Sequence, residues 1–335
     1  MAKRYLLIGA GILIVIILLW WAGVRETLDL ILTANPKFLL LAIIMYCISV
    51  LTWALRWATF LKSAKVSVSF LRVIEGVFIG IFLNNLTPGA RTGGEAVKVL
   101  FIKKSSQNGS YSKVFATVMA DRILDVIPVI AFMVLAFLYA LTLHVKVLLI
   151  ILGISALILT LIVLITTLLS VKEKYALSFL LKLFRLFKRI FPSKLTYTEE
   201  TIREKLLKEF REFKATLIVL AKEKRRLAST LLYSFVLWLA DIMKTYFVFL
   251  SLGSEVNLFQ VLLVRMASMA VAMISVIPGG IGISEAVQSG LFLAIGIEKT
   301  VAVSVTMLDR LISFWTPTLI GGALAFKNKD VFSST

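Results

Sequence analysis

Thirteen ionisable side chains fall inside otherwise apolar runs of this 335-residue sequence: Arg56, Glu75, Arg91, Glu95, Asp121, Arg122, Asp125, Asp241, Lys244, Arg265, Glu285, Asp309 and Arg310. Insertion into hydrocarbon costs about 2.5–3.5 kcal/mol for each, so such groups must pair with one another or line a wet cavity. Six are basic and seven acidic, which makes near-complete mutual pairing arithmetically possible. Neighbours on a helix point to different sides, so Asp121 and Arg122, and again Asp309 and Arg310, must find their partners on other elements. At least one Asp-Arg set is expected to reach the opposite half of the chain. Asp121, Asp125, Asp309, Arg56 and Lys244 are the expected structural charge pairs. The arginines have a second capability, since a guanidinium grips phosphate and carboxylate equally well. One cysteine (Cys47) excludes an intramolecular disulfide, and one histidine (His144) removes most zinc and imidazole chemistry. No catalytic residue, metal ligand or cofactor is assigned.

Two proline-glycine breaks lie among these charges. Around the first, Thr92-Gly93-Gly94-Glu95 fits the Ser/Thr-x-x-Glu capping box, which satisfies the first amides of a short helix. Around the second, Gly279, Gly280 and Gly282 are followed by Ser284 and Glu285, so the threonine half of the box is absent. The glycines permit unusual backbone angles and close approach of a ligand. Short helices starting inside a membrane aim amides and positive dipole ends at a common centre, where an anionic headgroup phosphate is the natural guest. The substrate-binding candidates are therefore Arg91, Thr92, Gly93, Gly94, Glu95 and Arg122 in one half, and Gly279, Gly280, Gly282, Ser284, Glu285 and Arg310 in the other.

The elements that position these residues follow from composition. With 59% hydrophobic residues and a mean hydropathy of +0.95, the chain belongs in a bilayer, where spanning segments are helices. Full spans are predicted near 5–24, 38–61, 114–141, 147–170, 228–251 and 300–325. Segments 69–104 and 257–297 each run into a break and resume, as broken or re-entrant hairpins facing the protein interior. The net charge of +18 is distributed so that Lys62, Lys65, Arg72, Lys98, Lys103, Lys104, Lys113, segment 171–226 and the tail share one side, leaving Arg25, Lys37, Lys146 and Lys299 on the other. By the positive-inside rule both termini are cytoplasmic. Segment 171–226 carries 16 Lys or Arg against 7 Glu, and is divided by Pro192. Its second half sets Ile202, Leu206, Phe210, Phe213, Leu217 and Leu220 on one stripe of a basic amphipathic helix. That helix either docks under the bundle or lies at the membrane surface, held over residues 198–224 by anionic headgroups. A nucleic-acid partner is not expected.

A period of about 190 residues organises the whole sequence. Pro88-Gly89 with Glu95-Ala96-Val97 recurs as Pro278-Gly279 with Glu285-Ala286-Val287, and Met119-Ala120-Asp121-Arg122 recurs as Met307-Leu308-Asp309-Arg310. The expected architecture is an all-α polytopic membrane protein of six full spans and two broken hairpins in an inverted repeat. An anchor over 1–30 precedes a first repeat over 38–142, a connecting span and basic segment over 147–226, a second repeat over 228–326 and a tail over 327–335. Inverted repeats meeting at discontinuous helices suit alternating access.

At Asn84-Asn85-Leu86-Thr87-Pro88-Gly89, Gly93-Gly94-Glu95-Ala96, Asp121-Arg122, Ile277-Pro278-Gly279-Gly280-Ile281-Gly282, Glu285 and Asp309-Arg310, the sequence resembles the transmembrane flippase-like domain of lysylphosphatidylglycerol synthases. The resemblance covers nearly the whole chain and implies movement of a polar or anionic-headgroup lipid between leaflets: a phospholipid, an aminoacyl-lipid or a polyprenyl-phosphate-linked lipid. These residues offer no soluble aminoacyl-transferase domain, so no synthase activity is expected of them. The alternatives are a non-transporting membrane partner of a lipid- or glycan-modifying enzyme and a membrane enzyme acting on a lipid phosphate. Membrane lipids are the expected partners, in a cell (plasma or inner) membrane, and the chain is compatible with a homodimer.

Overall fold

The chain enters on a long apolar helix, α1 (Ala2–Ala22), which ends at Gly23 because the next turn carries Arg25, Glu26 and Asp29. Gly23 adopts φ +96°, open to glycine without strain, and α2 (Val24–Leu32) leaves at 87° to α1. The straight span expected over 5–24 is therefore half of a bent pair. The computed structural model describes residues 2–87, 93–143, 146–171, 173–190, 199–274 and 277–333, and no strand occurs among them.

The first repeat opens with α3 (Pro36–Ser63), whose first turn is set by Pro36 and by Asn35 Oδ1 accepting from Lys37 N at 3.0 Å. Ser69 caps α4 (Phe70–Leu86), which with α5 (Gly93–Ser105) forms the first broken hairpin, and α6 (Tyr111–Leu143) follows. Then come α7 (Lys146–Val171), α8 (Glu173–Ile190) and α9 (Glu199–Lys222). The second repeat runs α10 (Lys224–Ser251), α11 (Leu258–Ile274), a 3₁₀ turn over Pro278–Gly280 and α12 (Ile283–Ala294). It ends in α13 (Lys299–Arg310), a π-helical turn at Leu311–Trp315 and α14 (Thr316–Lys327), with α15 (Lys329–Ser333) after it. The span expected over 300–325 is thus two helices joined by a π turn just before Pro317, where Thr316 Oγ1 donates to Leu311 O.

α3, α6 and α10 are each long and apolar enough to cross a bilayer. Large apolar side chains stay exposed along α1, α6, α7 and α14, among them Ile16, Leu138, Leu157 and Leu319. Only lipid accommodates such a surface, and the protein is an all-α polytopic membrane protein. Two cores lie inside, one built on α6, α7 and α10 to α13, the other on α3 to α6 with α14.

The two repeats have opposite orientations. On one face Ser63 Oγ donates to Glu223 Oε2 at 2.6 Å, Gln107 N reaches Ser67 O, and Arg72 reaches Asn328 at 2.6 Å. On the other, Asn35 N donates to Ser251 O at 2.6 Å and Thr300 Oγ1 to Ala22 O at 3.2 Å. The α4–α5 hairpin begins and ends on the first face, and the α11–α12 hairpin on the second. Between them α3 and α10 pack antiparallel in the most extensive helix contact among the described residues, and both helices carry small buried residues, among them Ala42, Ala54, Ser234 and Ala240.

Each repeat is pinned by an equivalent buried ion pair. Arg56 Nε meets Asp121 at 2.6 Å and Lys244 Nζ meets Asp309 at 2.9 Å, with all four side chains essentially inaccessible. The partners are 65 residues apart in both halves. Among the described residues the ion pairs of Asp121, Arg122, Asp309 and Arg310 stay within their own repeat, contrary to the expectation that one set would cross. The crossing is made by uncharged groups, which can approach without a matched counter-charge: Ser234 accepts from Arg56 at 2.7 Å, and Trp238 Nε1 donates to Asp125 at 3.0 Å.

Removing one partner of a buried pair strands the other, at about 3–5 kcal/mol. Asp309→Asn should lower the thermal midpoint in detergent sharply, and Asp309→Leu combined with Lys244→Met should recover much of it. A single variant as stable as the parent would remove the pin. At the first break a Cβ on Gly94 would lie 2.8 Å from Asn84 Cγ and still closer to Gly80 O. Gly94→Val should therefore destabilise by about 1–3 kcal/mol, read on the same melt.

Candidate functional site

Where the repeats meet, a cavity of about 210 Å³ is lined by both. α3 contributes Tyr46, Ser49, Trp53 and Arg56, α4 contributes Asn84 and Asn85, and α6 contributes Arg122 and Asp125. From the second repeat come Trp238 and Asp241 on α10, Arg265 and Ser268 on α11, Ser284 and Gln288 on α12, and Asp309 and Arg310 on α13, with Phe314 of the π turn. The π turn follows Arg310 directly and lets Phe314 lie under it, the guanidinium carbon 3.8 Å from the ring centre.

The charges fall into two sets of three cations and three carboxylates. In the first repeat Arg56 holds Asp121 and Asp125, while Glu95 is shared by Arg122 and by Lys98 at 3.3 Å. In the second, Lys244 and Arg265 both bridge Asp241 and Asp309, and Arg310 Nε holds Glu285 at 2.8 Å. The glutamate-to-arginine bond thus joins the short helix of each hairpin to the following long helix, at matching places. Within these twelve residues the balance is complete, but the hydrogen-bonding is not. Among the described residues Arg56 Nη2, Arg265 Nε, Gln288 Nε2 and Ser268 Oγ are buried without a protein partner, and all four residues line the cavity. An unsatisfied buried donor costs about 1–3 kcal/mol, and four on residues that line one cavity would be relieved by acceptor oxygens.

The sequence candidates divide accordingly. Arg122, Arg310 and Ser284 line the cavity. Glu95 and Glu285 stand behind them as counter-charges, and Glu285 Oε2 also accepts from Gly282 N at 2.7 Å, capping α12. Gly93 and Gly94 admit protein, not a cavity ligand: their Cα faces meet Thr87 and the Gly80–Asn84 turn of α4. Gly279 (φ +62°) likewise lies against Phe314 and gives its carbonyl to Arg310 at 3.2 Å, while Gly282 (φ +81°) lies against Gly11 of α1 and Gly280 is buried. Arg91 and Thr92 lie outside the described residues, and the first short helix receives its cap from Asn84 Oδ1, which accepts from Gly94 N at 2.8 Å. Of the expected structural pairs, Arg56, Asp121, Asp125, Lys244 and Asp309 all take part in ion pairs. Glu75 leaves the central group and pairs with Arg72 at 2.8 Å.

Several residues escaped sequence reasoning. Lys98, expected among the solvated inner charges, is fully buried, with its ammonium 4.4 Å from the centre of the Trp57 ring and 5.0 Å from that of Trp53. Gln288 stands three residues after Glu285 as Lys98 stands three after Glu95, so the repeat itself carried the signal. Trp53 donates to Asp121 at 3.1 Å, a role that an apolar-looking tryptophan in a span does not announce. The C-terminal part of the apolar stripe of α9, unlike half-buried Ile202 and Leu206, is also occupied by protein: Phe210 and Phe213 pack on Ala116, and Leu220 on Phe60 and Ala120. It is therefore not the surface by which residues 198–224 would lie in lipid.

The sequence matches a family along most of its length. The profile of the lysylphosphatidylglycerol synthase TM region matches residues 8–321. A UPF0104 membrane protein of Pyrococcus horikoshii is 71% identical over 333 residues, covering 99% of each chain. Others from Methanothermobacter thermautotrophicus (28%, covering 96% of this chain and 94% of the relative) and Methanocaldococcus jannaschii (26%, 95% and 93%) match along nearly their whole length. The chain belongs to the lysylphosphatidylglycerol synthase transmembrane-region family.

Proposed function

We propose that this protein moves a polar or anionic-headgroup lipid between the leaflets of a cell membrane by alternating access, with the headgroup held in the central cavity. The observation that carries the reading is the set of four unpartnered donors, from Arg56, Arg265, Ser268 and Gln288, in a chamber shared by two inverted repeats. Headgroup phosphate or glycan oxygens supply the acceptors they lack, and the apolar flanks of the helices suit the tails. An asymmetry between the halves supports movement. The side chains of Arg122 and Glu95 are 34% and 15% exposed, whereas those of Arg310 and Glu285 are 8% and 3% exposed. Equivalent bonds in unequal surroundings are what one end state of a rocking pair of repeats contains. Charge bias sets the orientation: the face with Lys62, Lys103, Lys104, Lys113 and the α8–α9 segment is cytoplasmic, as are both termini.

Gln288 gives the cleanest test, because its amide donor holds nothing in the protein. Removing an unsatisfied donor is neutral or stabilising for the fold. Gln288→Leu should keep or raise the thermal midpoint yet slow the flipping of headgroup-labelled lipid in proteoliposomes about fivefold or more. A parent protein no faster than protein-free vesicles would defeat the transport reading. A Gln288→Leu variant of parental speed would move the headgroup elsewhere.

A further inference from the structure

The two repeats fill the oxygens of their matched glutamates differently. In the first, Glu95 Oε1 accepts from Arg122 and Oε2 from Lys98 at 3.3 Å, so two cations share one carboxylate. In the second, Glu285 Oε1 accepts from Arg310 Nε at 2.8 Å and Oε2 from the uncharged Gly282 N at 2.7 Å. The residue three places past the glutamate makes the difference: Lys98 in one half, Gln288 in the other. A rocking motion exchanges exposure between repeats, not residue types.

Taking Arg122 away therefore leaves Glu95 on Lys98, whereas taking Arg310 away leaves buried Glu285 with no cation among the described residues. The arginines are also held unequally. Arg310 has Glu285, the Gly279 carbonyl at 3.2 Å and the Phe314 ring at 3.8 Å. Arg122 gives its carboxylate a single hydrogen bond, through Nη2, and its guanidinium carbon lies 5.4 Å from the centre of the Trp53 ring. Arg122 lines the cavity, while Lys98 is fully buried behind it against Trp53 and Trp57.

We infer that Lys98 is the standing counter-charge of Glu95, which frees Arg122 to turn from Glu95 to a phosphate group in the cavity while Arg310 stays locked. Lys98 is then a positioning residue acting through Glu95, and Arg122 is the group that touches the headgroup. Guanidinium suits phosphate and carboxylate alike, so the exchange costs little once the carboxylate keeps a cation. The identity of the anion rests on the transport reading; the unequal counter-charges do not.

The test uses the full-length protein in detergent. Arg122→Gln should hold its thermal midpoint within about 2 °C, whereas Arg310→Gln should lose roughly 5 °C or more. Adding Lys98→Gln to Arg122→Gln strands Glu95 and should bring the same loss. Adding Gln288→Lys to Arg310→Gln gives Glu285 a cation and should recover much of it. Lys98→Gln alone leaves Glu95 on Arg122, so its midpoint should stay near the parent's while its affinity for glycerol phosphate, read by calorimetry, falls about tenfold. A residue that only supports the fold would lower the midpoint and spare the affinity. Equal losses in Arg122→Gln and Arg310→Gln, no recovery by Gln288→Lys, a parent that does not bind glycerol phosphate, or parental affinity in Lys98→Gln would overturn the inference. A parent that passes all of these yet moves no labelled lipid would defeat the transport reading and leave the exchange standing.

Discussion

An ionised side chain inside a bilayer has to bring its own counter-charge, and the placement of every helix around the centre of this protein follows from that requirement. Arg56 and Lys244 are fully buried in the middle of the two most closely packed helices. Their carboxylates must come from neighbouring spans, so α6 has to lie where Asp121 meets Arg56, and α13 where Asp309 meets Lys244. The short helices are then fixed by Glu95 and Glu285, which hold the arginine next in sequence to each aspartate. Apolar contacts alone give little reason for one helix register over another in lipid, because lipid tails are as apolar as the side chains they replace. Ion pairs supply the register.

That logic explains why some of the molecule was legible in the sequence. A charge in a span is conspicuous, and its recurrence with the same neighbours made both the duplication and the roles of Asp121, Asp309, Arg56 and Lys244 readable. The hairpins were legible because Pro and Gly interrupt helices wherever they stand. Less visible were functions carried by residues that suit a membrane helix anyway. Trp53 and Trp238 look like lipid-facing aromatics until their indole N–H groups are seen to hold Asp121 and Asp125. Lys98 lies within five residues of Lys103 in a segment whose charge reads as a solvated edge, and only tertiary packing puts it beneath two tryptophans. The surroundings of the glycines were hidden for a related reason. Sequence shows that close approach is allowed, but not what approaches: Gly93 meets the Thr87 side chain, Gly94 the Gly80–Asn84 turn, Gly279 the Phe314 ring and Gly282 the backbone of Gly11.

The repeats are alike in their locks and unlike in their surroundings. α1 closes over the second break, where Gly11 and Gly282 meet backbone to backbone, whereas α14 packs on α4 with Gly321 against Phe78 and Phe82. A duplicated unit acquires different neighbours once it is placed in a chain with an extra helix at one end and a basic segment in the middle. Those neighbours distinguish two breaks whose repeated residues are alike.

The even count of charges in the two halves has an electrical meaning. Among the described residues each half joins three cations to three carboxylates, so a displacement of either set as a unit would carry none of their charge through the membrane field. A voltage acts on displaced net charge at about 2.3 kcal/mol per unit charge per 100 mV. The matched sets are therefore electrically silent, and a voltage across the membrane would act on the charges outside them.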